Sequence, residues 1–134
     1  MIHIVKDTDT SPLFFLQTAH TTYGMRVMET GHLEHLYYGE RITVDSQDPS
    51  SCAPLVIQRA FAPGNTCTYD REHPQISMED VCLEVGTLGK GDIREPFLEV
   101  RFADGSVTSD FTFDSYEVIT LKEREQYLQD SGLP

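Results

Sequence analysis

The stretch Gly89–Phe102, GKGDIREPFLEVRF, decides how the chain is read. Leu98, Val100 and Phe102 alternate with Glu99 and Arg101, the two-residue period of a strand with one covered face. Pro96 stands just ahead of that strand, and Gly105 in Ala103-Asp104-Gly105 supplies a hairpin turn behind it. Charges crowd the approach: Asp92, Arg94 and Glu95, then Glu99 and Arg101. Paired carboxylates can work as acid and base across a cleft, but with 22 acidic residues in the chain such pairs arise without chemistry. The segment is therefore read as a charge-braced turn entering a central strand. Asp92 and Arg94 then hold the loop or face a partner, a task suited to the rigid fork of arginine.

The same period recurs on both sides. Val81, Leu83 and Val85 alternate with Cys82 and Glu84. After Gly105, Val107 opens a longer ladder with Phe111 and Phe113 on one face. Tyr116 and Val118 fall out of phase with them, and a bulge near Ser115 would account for the switch. Towards the amino terminus, Ile2 and Ile4, Leu13–Gln17, Tyr23/Met25/Val27 and Leu33–Tyr38 read as successive strands, and Ile42 and Val44 briefly resume the alternation. Turns fall at His20–Thr22 and Glu29-Thr30-Gly31. Leu33–Tyr38 has no clean period, so both of its faces are expected to be covered. Short strands joined by short turns predict an all-β antiparallel meander.

The remaining segments are less regular. Asp45–Pro54 is a loop rich in Asp, Ser and Pro, and Leu55–Phe61 fits a strand or a helical turn. Ala62–Pro74 is a long polar stretch of the kind that usually contacts something. Lys122–Asp130, KEREQYLQD, is built of helix formers but has little to bury.

The bulk numbers bound the rest. A chain of 134 residues fits one domain, residues 1–134, and can bury a core without disulfides. A net charge of −12 argues against a nucleic-acid surface and against docking on anionic lipid. No stretch is apolar enough to span a bilayer, and Met1–Val5 lacks the pattern of a secretory signal. Cys52, Cys67 and Cys82 have no CxxC pair and no zinc spacing, so they are read as reduced thiols in a reducing, cytoplasmic compartment. One disulfide plus one remaining thiol is the alternative. The five histidines form no compact metal motif; His32 and His35, three apart on a strand, point to opposite faces. There is no GxSxG, HExxH or P-loop, and Gly89-Lys90-Gly91 lacks the strand–loop–helix setting of a phosphate cradle. No metal and no cofactor are expected.

Two segments in order carry a resemblance. His35-Leu36-Tyr37-Tyr38-Gly39 follows Thr22-Tyr23 and Gly31. Gly91-Asp92-Ile93-Arg94-Glu95-Pro96 is followed by Leu98-Glu99-Val100, then by Asp104-Gly105-Ser106 and a closing Gly132-Leu133-Pro134. In that order the chain resembles the amino-terminal domain of bacterial retaining alpha-galactosidases of glycoside hydrolase family 36. The resemblance implies an antiparallel β-sandwich that packs on a (β/α)8 catalytic barrel lying outside this chain. It implies hydrolysis of terminal alpha-galactosides by double displacement in the parent enzyme, with this part inactive alone. It further implies homo-oligomers in which an aspartate and an arginine of this domain reach a neighbour's active site. The nearest counterparts are Asp48 (or Asp45) and Arg59. Across Lys122–Asp130 the family implies extended chain and loop rather than helix. The other readings are a free-standing carbohydrate-binding sandwich using Tyr37, Tyr38 or Tyr69, and a structural domain without ligand.

Overall fold

The computed structural model describes residues 1–7, 11–60 and 67–131. Four strands, β1 (Ile2–Asp7), β2 (Ser11–Gln17), β3 (Thr21–Val27) and β4 (Leu33–Glu40), form one antiparallel sheet in sequence order. This is the meander that the alternation predicts. Its turns are tight for local reasons. Thr18 Oγ1 accepts from the backbone N–H groups of His20 (3.2 Å) and Thr21 (3.0 Å), which closes the β2–β3 connection.

Register decides which side chains share a face. Val5 lies opposite Leu13, His3 opposite Phe15, Phe15 opposite Gly24, and Leu13 opposite Arg26. On this inner face Val5, Leu13 and Phe15 are buried against Cys52, with Leu36, Val44, Leu55 and Val56 around them. Cys52 arrives on a 3-10 helix, Pro49–Leu55, within the segment read as loop. The helix forms because Asp48 caps it and proline is tolerated in a first turn. Leu55–Phe61 is settled in part: Leu55 ends that helix, residues 56–60 are irregular, and Phe61 lies outside the described residues.

A register shift between Gly24 and Met25 leaves Leu36 of β4 without a partner on β3. That bulge explains why Leu33–Tyr38 shows no clean period. No strand among the described residues contains Ser115, where a bulge is expected from sequence. A second apolar cluster, Met28, Ile76, Met78 and Val81 with Tyr69 and Leu83, sits beyond the β3–β4 turn.

Several expectations need correction. Val81–Val85 is no strand: the chain leaves a short 3-10 helix, Met78–Asp80, and pairs with β4 in an isolated Glu34–Leu83 bridge. Neither Leu98–Phe102 nor Val107–Phe113 is in a strand. The turn between them does form, with Gly105 at φ +87° and the Phe102 N–H donating to the Ser106 carbonyl at 2.9 Å. Alternation supplies a face, but a ladder needs a neighbour, and none of the described residues pairs with these segments as a strand. Ile42 and Val44 likewise lie outside the sheet.

Finally, Lys122–Asp130 lies within a helix, α1 (Leu121–Ser131), contrary to what the resemblance implies. Thr120 and Glu123 form a reciprocal capping box: Glu123 N–H donates to Thr120 Oγ1 (3.3 Å) and Thr120 N–H donates to Glu123 Oε2 (2.6 Å).

Candidate functional site

The most concentrated polar chemistry lies on the inner face of β3 and β4. Arg26 and Glu34 are cross-strand partners, and Glu34 is 0% exposed. Its Oε2 accepts from Arg26 Nε at 2.6 Å and its Oε1 from Arg59 Nη2 at 2.5 Å. Arg59 Nη2 also donates to the Asp80 carbonyl at 3.2 Å. Arg59 arrives from the irregular chain after the 3-10 helix, so the triad ties loop to sheet. Arg59 Nη1 is buried and meets no hydrogen-bond partner among the described residues. Beside the two arginines lies a cavity of about 320 Å³, also lined by Ser11, Glu29, Gln58 and Gln75.

Asp48 and Arg59, the two residues expected to reach a sugar, are not brought together. Asp48 is exposed, and its Oδ1 accepts from Ser50 N (3.0 Å) and Ser50 Oγ (2.6 Å) as a helix cap. It does not line the cavity beside Arg59. Asp45 is exposed too, its Oδ1 accepting from Gln47 N at 2.9 Å.

The HLYYG motif lies on β4. His35 Nδ1 is 3.2 Å from Glu84 Oε1, and Tyr23 donates to Glu84 Oε2 at 2.5 Å. Burial and then that hydrogen bond push the Tyr23 phenol up to about 12. Tyr37 donates to the Glu40 carbonyl at 2.9 Å with its ring folded over Gly39, where an added Cβ would meet Tyr37 Oη at 2.6 Å. Only glycine leaves that space. Tyr38 is 70% exposed and stacks obliquely on Tyr23.

In the GDIREP motif the geometry is that of a brace. Arg94 binds Asp92 through Nε at 2.8 Å and donates through Nη2 to the carbonyls of Met78 (3.0 Å) and Val81 (2.5 Å). The hydrogen bond from Arg94 holds the Asp92 carboxyl below the usual range. Gly91 turns the chain at φ +93°, Glu95 is exposed, and Pro96 is partly covered. A third polar knot joins distant loops. Asp110 takes His32 Nε2 (2.7 Å) and the Tyr69 hydroxyl (2.7 Å), with Lys90 Nζ at 3.4 Å.

Sequence reading missed Glu34, Arg26, Glu84 and Asp110. The available signal was opposite charge at inward positions of neighbouring strands, Arg26 and Glu34. Among the described residues no group of His, Cys, Asp and Glu is placed to hold a metal ion, and no helix is long and apolar enough to cross a membrane.

Fold and polar knots together define a scaffold domain: an antiparallel sheet whose charged groups clamp loops. The profile described as Glycosyl hydrolase family 36 N-terminal domain matches residues 31–134, and the chain belongs to that family. It is 38% identical over 124 residues to the bifunctional alpha-galactosidase/sucrose kinase AgaSK of Mediterraneibacter gnavus, covering 91% of this chain and 12% of that protein. It is 27% identical over 111 residues to alpha-galactosidase AgaA of Geobacillus stearothermophilus, covering 83% of this chain and 14% of that protein. The alpha-galactosidase of Lactobacillus brevis superposes with a TM-score of 0.67 at 32% identity, over 78% of this chain and 13% of that one. The chain thus spans about an eighth of the length of these relatives.

Proposed function

We propose that this chain is a non-catalytic domain of a cytoplasmic alpha-galactosidase, packing on the catalytic barrel and supporting homo-oligomerisation. The enzyme so formed would hydrolyse terminal alpha-galactosides with retention through a galactosyl-enzyme intermediate. The family match over residues 31–134 carries this reading. The outer face of the sheet supports it. Phe14 packs edge-on against Tyr116 at 5.0 Å, yet Ile2 (50% exposed), Leu16 and Val118, which line one cavity with that pair, are left open. A contiguous apolar surface of this kind suits a domain–domain contact. Asp48, which lies on the surface, and Arg59, whose side chain is 11% exposed, are the residues proposed to reach a sugar in a neighbouring subunit's cleft.

The competing reading, a free-standing carbohydrate-binding module, draws on exposed Tyr38. Titration of the isolated chain with galactose and raffinose separates the two. The proposed function expects no saturable response; saturation by a monomer would favour the module.

A further inference from the structure

The outer face of the sheet is covered in part by a segment fastened at one end only. Residues 110–119 follow Ser109, whose N–H donates to the Leu88 carbonyl at 3.0 Å and whose carbonyl accepts from Thr87 Oγ1 at 2.8 Å. Asp110 comes next, held by His32 Nε2 and the Tyr69 hydroxyl, each at 2.7 Å, and by Lys90 Nζ at 3.4 Å. His32 is itself buried and bonded to Thr30 Oγ1 at 2.9 Å. Three residues on, the Phe113 N–H donates to the Gly31 carbonyl at 2.7 Å. Beyond Phe113 the fastening stops. Among the described residues, 114–119 make no backbone hydrogen bond, and every described side chain of α1 behind them is exposed. Phe113 and Tyr116 lie against Phe14 with ring centres 6.0 and 5.0 Å away. Packing there is loose. A cavity of about 190 Å³ is lined by Tyr116 and Val118 together with Ile4, Leu16 and Met25 of the sheet.

A segment with few backbone hydrogen bonds and little buried apolar contact can open while the rest stays folded. We propose that residues 110–119 form a strap that opens as a unit about Ser109, with Asp110 as its latch, and so bares the outer face of β1–β3. The contacts to be broken are few. They are the Asp110 bonds to His32 and Tyr69, its ion pair with Lys90, the Phe113–Gly31 hydrogen bond and the packing on Phe14. The inner core is untouched, since Val5, Leu13 and Phe15 pack against Cys52 on the opposite side of the sheet. His32, Tyr69 and Lys90 belong to other segments and stay in place to take Asp110 back. The apolar outer face is thus part-covered with the strap down and available with it lifted. The opening belongs to this chain and stands whether or not that face meets a catalytic barrel.

Native-state hydrogen exchange of the 134-residue chain at rising, sub-denaturing urea tests this. The Phe113 amide is expected to be at least about tenfold less protected than the slowest amides of β2 and β3. Its exchange should depend only weakly on urea, because lifting the strap exposes little surface. Asp110→Asn should speed the Phe113 amide about fivefold to thirtyfold. Val5→Ala, which weakens the inner core alone, should speed the slowest amides of β2 and β3 at least about tenfold and leave Phe113 unchanged. If that variant does not fold, the urea slopes of the parent chain decide. A Phe113 amide that shares the urea slope of β2 and β3, or accelerates with them in Val5→Ala, would overturn the proposal by making the strap part of one cooperative fold. A Phe113 rate unmoved by Asp110→Asn would overturn Asp110 as the latch.

Discussion

Glu34→Gln is the perturbation that tests most sharply how this domain is held together. The substitution keeps shape and removes charge. It leaves Arg26 and Arg59 facing each other across a side chain that is 0% exposed, and one donor must now face another donor. Removing one partner of a buried ion pair costs about 3–5 kcal/mol. Because Arg26 and Arg59 keep 18% and 11% exposure, the lower end, about 3 kcal/mol, is expected here. For a domain of this size that corresponds to a fall in Tm of about 9–15 °C. Urea unfolding followed by circular dichroism measures it, with Glu40→Gln, an exposed carboxylate on the same strand, as control. The control is expected within about 0.5 kcal/mol of the parent chain. Replacing all three members by apolar residues of similar volume should cost little, since the penalty comes from an orphaned charge. A loss below about 1 kcal/mol for Glu34→Gln would refute the reasoning, because it would leave the triad no stronger than a surface pair.

Other expectations follow from the same contacts. Burial pushes the Asp110 carboxyl up, but hydrogen bonds from Tyr69 and His32 outweigh this and hold it below its ordinary value. Its contribution is therefore complete above the unfolded carboxyl range and lost as pH falls through the lowered folded value. Asp110→Asn should cost about 1–2 kcal/mol at pH 7 and nothing in strong acid, as read from unfolding curves across pH. Tyr23 and Tyr69 are both pushed up to about 12, by burial first and then by Glu84 and Asp110. Absorbance titration should show these two ionising last. Stability should fall as pH rises from the ordinary phenol value towards 12, where only the unfolded chain gives up these protons. Arg94→Ala removes donors to the Met78 and Val81 carbonyls and should destabilise by about 1–2 kcal/mol in urea.

What the sequence showed plainly was what local pattern governs. β1 and β3 alternate, β2 is a short apolar run, and turn residues separate the strands, so the meander was legible from the order of residues even though β4 has no clean period. The helix at Leu121–Ser131 was legible too, since Thr120 and Glu123 spell a capping box; the family pattern argued against it, and the local chemistry prevailed. Leu98–Phe102 misled because alternation describes one strand and says nothing of its neighbour. The buried triad was the least visible feature. Arg26 and Glu34 are paired by register, and Arg59 joins them from a loop 25 residues away in the chain, a closure no periodicity encodes. Asp92 and Arg94, read from the sequence as the brace of a turn, do brace it: Asp92 holds Arg94, and Arg94 holds the Met78 and Val81 carbonyls.

The central claim is that this chain serves an alpha-galactosidase without performing its chemistry. The direct measurement is turnover of an aryl alpha-galactoside by the purified 134-residue chain. The account predicts no release of the aryl alcohol above the buffer blank. Release that rises in proportion to this chain through purification to constant specific activity would contradict it.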